Sequence, residues 1–200
     1  MALVDSKPVQ KVILALKDAG LDDTVTELDM PIENPTQAAG MLDTEPGAIV
    51  TAKVFAIGKR MVMTLVAGDH APVPENLPAA FFLEGEVREA DDAEVRGITG
   101  NSADSVSPIG SGHAIPVVMD RSLKRFDALY AIAGDPQCVF KISYDGLKRL
   151  TGAIVSWNIA APLEGDVERP PIARSKTFSG ERDVPGLDLS GSDESGPGGG

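Results

Sequence analysis

Two runs of β-branched and aliphatic residues, 48–55 and 61–66, constrain this chain more than any other feature. They are joined by 56–60, a short segment with Gly58 at its centre, and this combination predicts a β-hairpin. Strand-like stretches recur at 24–28, 86–90, 115–119, 129–133, 139–143 and 153–157. Helices fall between them. Val9, Val12, Ile13 and Leu16 repeat at helical spacing, with Ser6 placed to cap, Pro8 in the first turn and Gly20 as a stop. Asn34-Pro35-Thr36-Gln37 opens a second helix as cap, first helical position and capping-box glutamine. Asp91 with Glu94 repeats the box before a helix that Gly97 and Gly100 close, and 145–150 reads as a last helical turn. The stretches 68–78 and 101–113 read as loops, with an apolar patch at 81–83. Helices interleaved with hairpins rather than regular crossovers predict an α+β fold: a single layered domain with a central mixed, largely antiparallel sheet flanked by helices.

A chain of 200 residues with 42% hydrophobic residues suits one such domain with its own core. Aromatics amount to only 4%, so aliphatic side chains must fill the interior. From Leu163 the composition turns to proline, glycine, serine and charge. The expected boundaries are therefore a domain over 1–162 and a disordered acidic tail over 163–200. No apolar run approaches the roughly 18–20 residues of a membrane span, and the start of the chain lacks the pattern of a signal peptide. A lone Cys138 allows neither a disulfide nor a thiolate cluster, and its apolar neighbours make it a core residue. The expected location is cytoplasmic, with no membrane partner.

The net charge of -12 argues against DNA and against any broad grip on nucleic acid, which needs dense lysine and arginine. Contact with RNA would have to use a local basic patch. No phosphate-binding loop, dinucleotide fingerprint or paired histidine is present, so no cofactor and no metal is expected. His70 and His113, the only histidines, fit loop hydrogen bonding. Gly110-Ser111-Gly112 is compatible with a phosphate cradle or with a plain turn. Lys53, a cation inside an apolar strand, is either an outward solvated residue or a ligand contact within a cleft. These residues alone lead no further than an α+β domain.

Several landmarks nevertheless follow one another in a specific order. After the helix ending at Gly20 and the Asn34 helix come Gly47-Ala48-Ile49-Val50, Val66-Ala67-Gly68-Asp69 and Thr99-Gly100. Ser107-Pro108-Ile109-Gly110, Asp120 before Leu123, Ala133-Gly134 and 147–150 complete the series. Over residues 5–160 the chain resembles the YbaK-like aminoacyl-tRNA deacylases, the editing domains associated with prolyl-tRNA synthetase. The resemblance implies hydrolysis, in trans, of the ester joining a wrong amino acid to a tRNA. The implied partners are the aminoacyl-tRNA 3′ end and an aminoacyl-tRNA synthetase. It also implies a lysine on the strand after the Gly-x-Ile-Val segment and a Gly-x-x-x-Pro loop around the ester.

This sequence departs at both places. Thr51 stands where the resemblance puts the lysine, and Lys53, two residues on, faces the same side of the strand. Asp104 replaces the loop glycine, although Pro108 and Gly110 are present, and His113 follows the loop. The expected catalytic residues are Lys53 and Asp104, with Thr51, Ser107, Pro108, Gly110 and His113 contacting substrate. Two readings stay open: an active deacylase, or a module that keeps the pocket and binds an aminoacyl-tRNA end, an amino acid or a nucleotide without turnover.

Overall fold

Apolar residues at helical spacing make the first helix, and the structure buries that face. The computed structural model describes residues 2–111 and 113–163. In it α1 (Lys7–Asp18) buries Val9, Val12, Ile13 and Leu16. Ser6 occupies the cap position but makes no capping bond, and its Oγ is buried without a partner. Pro8 has no N–H and so removes one of the two donors a capping oxygen can take.

After α1 come β1 (Val25–Glu27) and α2 (Pro35–Leu42), then the hairpin strands β2 (Ile49–Ile57) and β3 (Arg60–Ala67). Asn34 Oδ1 accepts from the Gln37 N–H (2.9 Å), as its place before Pro35 predicts. Gln37 Oε1 in turn accepts from Glu33 N–H (2.7 Å), one residue earlier than a capping box requires. The hairpin pairs Val50 with Ala67 through to Ile57 with Arg60, around Gly58 at φ +56°. Beyond it lie β4 (His70–Pro72), α3 (Leu77–Phe81), β5 (Val87–Glu89) and α4 (Asp92–Thr99). The capping box of α4 is complete, and Gly100 ends it in the left-handed region. The chain continues through β6 (Val117–Asp120), β7 (Leu129–Asp135), β8 (Cys138–Ile142), α5 (Tyr144–Thr151), β9 (Ile154–Ser156) and β10 (Ala160–Pro162).

The sheet runs β1-β8-β7-β2-β3-β6-β9, with β5 added to the far end of β2. Its pairings are mixed: β2–β7, β3–β6 and β6–β9 are parallel and the others antiparallel. The described residues thus form the α+β domain expected. Side chains of β2 alternate between two cores. Val50 and Val54 join the large cluster that holds α1, Leu65, Met119, Leu129 and Phe140. Phe55 and Ile57 join Leu77, Phe81, Val118 and Ile159 on the other face. Cys138 is fully buried, and burial pushes its thiol up to about 11.

The strands β4 and β10 and the helix α3 (Leu77–Phe81) were not expected. The loop at 68–78 contains β4, which pairs antiparallel with β10. Both are three residues long and each ends in proline, too short to show alternation. The expected tail lies, from Glu164 onward, outside the described residues, as does Gly112 of the possible phosphate cradle.

Candidate functional site

The strand that carries Thr51 and Lys53 is paired along only part of one edge. Residues of an antiparallel strand bond alternately to one side and the other. Ile49 C=O accepts from Gly68 N–H (2.8 Å), so the odd-numbered residues of β2 bond toward β3. The even-numbered ones bond the opposite way: Val54 C=O accepts from Ala90 N–H (3.0 Å), and Gly58 N–H donates to Glu86 C=O (2.9 Å). On that second edge β7 pairs only at Ile49 and Val50, and β5 only from Phe55 onward. Between the two the edge is open. Alternation therefore leaves Ala52 N–H, Ala52 C=O and Val54 N–H without a strand partner.

A cavity of about 410 Å³ fills the gap. Because it wraps round a free strand edge, residues from both faces of β2 line it: Val50, Ala52 and Val54 from one, Thr51 and Lys53 from the other. Apolar walls come from Ile32, Pro35, Val106 and Val139, and the polar groups are few. A small apolar volume with a handful of placed polar groups is the usual form of a ligand site, for which volumes run roughly 300–1000 Å³.

The charged groups of the cavity are one lysine and three carboxylates, Glu33, Glu89 and Asp104. Lys53 Nζ donates to Glu89 Oε1 at 2.9 Å, across the β2–β5 pairing, and both side chains are substantially exposed. Asp104 sits on the single turn of 3-10 helix Ala103–Ser105, where Ser102 Oγ donates to its carboxylate. That turn is tied to α4 by Ala103 N–H donating to Asp92 Oδ1 (2.9 Å). The bond, with help from Arg96, lowers the proton affinity of Asp92. Arg88 and the Asp91 N–H draw Glu94 down to about 2, so the start of α4 is held by ionised groups at neutral pH.

Of the residues singled out from the sequence, Thr51, Lys53 and Asp104 meet at this cavity. The others lie elsewhere. Ser107 is buried, and its Oγ accepts from Ile109 N–H at 3.4 Å. Pro108, Gly110 and His113 line a separate depression with Met63 and Leu150. Gly110, at φ +78°, has a local reason to be glycine: a Cβ there would stand 3.0 Å from the backbone nitrogen of Val12 in α1. His113 Nδ1 lies 3.3 Å from Ile98 C=O. Sequence reasoning missed Glu33, Asn34, Glu89 and Tyr130. The pairing of β5 with β2 that brings Glu89 to Lys53 is non-local and leaves no periodic trace.

Comparison with known proteins gives this geometry a context. The profile of the aminoacyl-tRNA editing domain family matches residues 29–150, which include Thr51, Lys53, Glu89 and Asp104. A solved structure of a candidate trans-editing enzyme for prolyl-tRNA synthetase aligns with TM-score 0.71 and 29% identity, over 76% of this chain and 96% of that one. A scaffold from computational grafting of linear epitopes aligns with TM-score 0.71 and 26% identity, covering 79% of this chain and 99% of the scaffold. A hypothetical protein shares the fold at TM-score 0.68 and 23% identity, over 76% and 99% of the two chains. No curated protein matches the sequence. No helix among the described residues is long and apolar enough to cross a membrane. The matched segment covers well over half of the chain and holds the open-edge cavity, and the chain belongs to the aminoacyl-tRNA editing domain family.

Proposed function

We propose that this protein is a stand-alone aminoacyl-tRNA deacylase that hydrolyses mischarged tRNA in trans, in the cytoplasm, after a synthetase has released it. The observation that carries this reading is the 410 Å³ cavity against the open edge of β2, inside the family-matched segment. Its apolar walls suit a small aliphatic aminoacyl group, and its carboxylates suit the α-ammonium. Asp104, on its turn at the rim, receives that ammonium or the attacking water. Lys53 faces the phosphate of the terminal nucleotide, and Thr51 contacts the ribose.

Hydrolysis adds a water oxygen to the ester carbonyl and then breaks the bond to the ribose oxygen, which takes up a proton. The carbonyl oxygen becomes negative in between. The N–H groups of Ala52 and Val54, fixed by the strand and facing the cavity, are donors of the kind that stabilise such an oxyanion, and they need no reorganisation when charge develops. No side-chain nucleophile is then required.

One observation favours the second reading, a module that binds without turnover: the Lys53 ammonium is already held by Glu89. A panel of mischarged tRNAs separates the two. Ester release above the spontaneous rate for one or a few small aliphatic amino acids is expected. Binding without release on every member would leave the module reading.

A further inference from the structure

The parallel strands β3, β6 and β9 end on one edge of the sheet, and the residues that follow them converge. His70 comes from beyond β3, Asp120, Arg121 and Ser122 from the end of β6, and Trp157 from the end of β9. Together they line a depression of about 390 Å³, separate from the cavity on β2. The carboxyl ends of parallel strands are where such sheets commonly take ligands.

The chemistry of the depression is specific. Trp157 is the only tryptophan of the chain, and 74% of its surface is exposed. The Arg121 guanidinium lies over one face of the indole, 3.3 Å from the ring centroid, so the opposite face is the exposed one. Asp120 is only 4% exposed. Its Oδ2 accepts from Ser122 N–H (2.7 Å), and no donor among the described residues meets Oδ1.

His70 Nδ1 lies 2.7 Å from Asp69 Oδ1. Burial raises the proton affinity of Asp69, but hydrogen bonds from His70 and Arg125 outweigh it and hold the carboxyl below its ordinary range. An ionised carboxylate only accepts, so Nδ1 carries the proton and Nε2 is left for a ligand. The 3-10 helix Arg121–Arg125 carries three cations: Arg121 lines the depression, Lys124 follows on the same helix, and Arg125 is held by Asp69 (2.8 Å). That is a local concentration of cations in a chain of net charge -12.

We propose that this depression binds an unpaired nucleotide of the tRNA, stacking its base on the open face of Trp157. An amino group on the base edge donates to Asp120, and the adjoining phosphates meet Arg121 and Lys124. The inference rests on the tRNA reading above and adds a second contact to it. One packing contact links the two sites: Pro35 lines the cavity and packs so closely on Gly68 that a Cβ there would stand 2.5 Å from the Pro35 Cβ, while His70, two residues further, lines the depression. In this arrangement the terminal ester of a single-stranded 3′ end occupies the cavity and a nucleotide before it stacks on Trp157.

The single tryptophan reports on its own site. Titrating the full chain with uncharged tRNA should quench its emission, with the midpoint that anisotropy of labelled tRNA gives. Trp157→Ala should weaken tRNA binding on the order of tenfold, the scale of losing one base stack. Trp157→Phe should retain most of the affinity, and hydrolysis of a minimal aminoacyl-adenosine ester should be unchanged in both. Binding of tRNA without quenching, or equal affinity in Trp157→Ala, overturns the proposal. So does quenching by mononucleotides with none by tRNA. Quenching without deacylation on any charged tRNA would sink the hydrolase reading and leave this surface standing; deacylation without quenching would do the reverse.

Discussion

Lys53 faces a competition between two anions. Glu89 holds its ammonium at 2.9 Å in the free protein, and a substrate phosphate must displace that carboxylate or share the cation with it. An ion pair this exposed contributes at most about 1 kcal/mol to stability, so exchange is inexpensive. Lys53→Ala should therefore leave the fold intact, within about 0.5 kcal/mol, while strongly reducing tRNA-end binding or deacylation. Asp104→Gly removes a rim carboxylate and should tighten binding of uncharged tRNA. If Asp104 receives the α-ammonium, the same change costs part of the preference for aminoacylated over uncharged ends. Filter binding with both forms, beside urea melts, reads all of these. That Lys53 and Thr51 face one side of a strand was legible in the sequence, whereas the open edge that also admits Ala52 and Val54 to the same cavity was not. That Pro108 and Gly110 do not join them was hidden. Gly110 is needed where the loop crosses the backbone of α1, a packing constraint that looks identical to a functional glycine in sequence.

Beside β2, which lines more of the cavity than any other element, α4 shapes the site in two ways. Its Val95 lines the cavity, next to Ala90 just before the helix, and its Asp92 anchors the turn that presents Asp104. The capping box that starts this helix is complete, with Asp91 Oδ1 accepting from Glu94 N–H (2.8 Å) and Glu94 Oε2 from Asp91 N–H (3.0 Å). Arg88 adds two bonds to the Glu94 carboxylate, tying β5 to the same helix. Asp91→Ala should cost about 1 kcal/mol in chemical denaturation. It should also raise KM for charged tRNA more than it lowers kcat, because the turn carrying Asp104 loosens while the N–H groups of β2 stay in place. Such caps are also why the helices could be read at all: they are local, each signal within four residues. The strands β4 and β10 carry no local signal, and their pairing closes a contact between distant segments that only the folded chain brings together. Ser6 shows the limit of reading caps by residue type: it holds the cap position, Pro8 removes one of its two possible donors, and its Oγ bonds to nothing.

At the scale of the whole molecule the question is where the domain stops, expected from composition at Pro162. Ile159 is fully buried in the cluster with Leu77, Phe81 and Val118, and Val73 N–H donates to its carbonyl (2.7 Å). The strand β10 follows, and Leu163 N–H donates to Asp69 C=O (3.0 Å), so the chain is engaged one residue beyond the expected boundary. We expect a chain ending at Glu164 to melt within a degree or two of the full chain, because 165–200 is proline-, glycine- and charge-rich and offers little apolar surface to bury. A chain ending at Asn158 loses β10 and the Ile159 side chain; emptying a site of that size costs about 2–5 kcal/mol, enough for a drop of several degrees. It also releases the β4 segment beside Asp69 and His70, and so should lose tRNA-dependent quenching of Trp157 even where the remainder stays folded. A calorimetric scan of the three lengths, with a tRNA titration of each, gives the pattern: the Glu164 chain like the full chain in both, the Asn158 chain impaired in both. A fall of several degrees for the Glu164 chain would instead show that 165–200 packs on the domain.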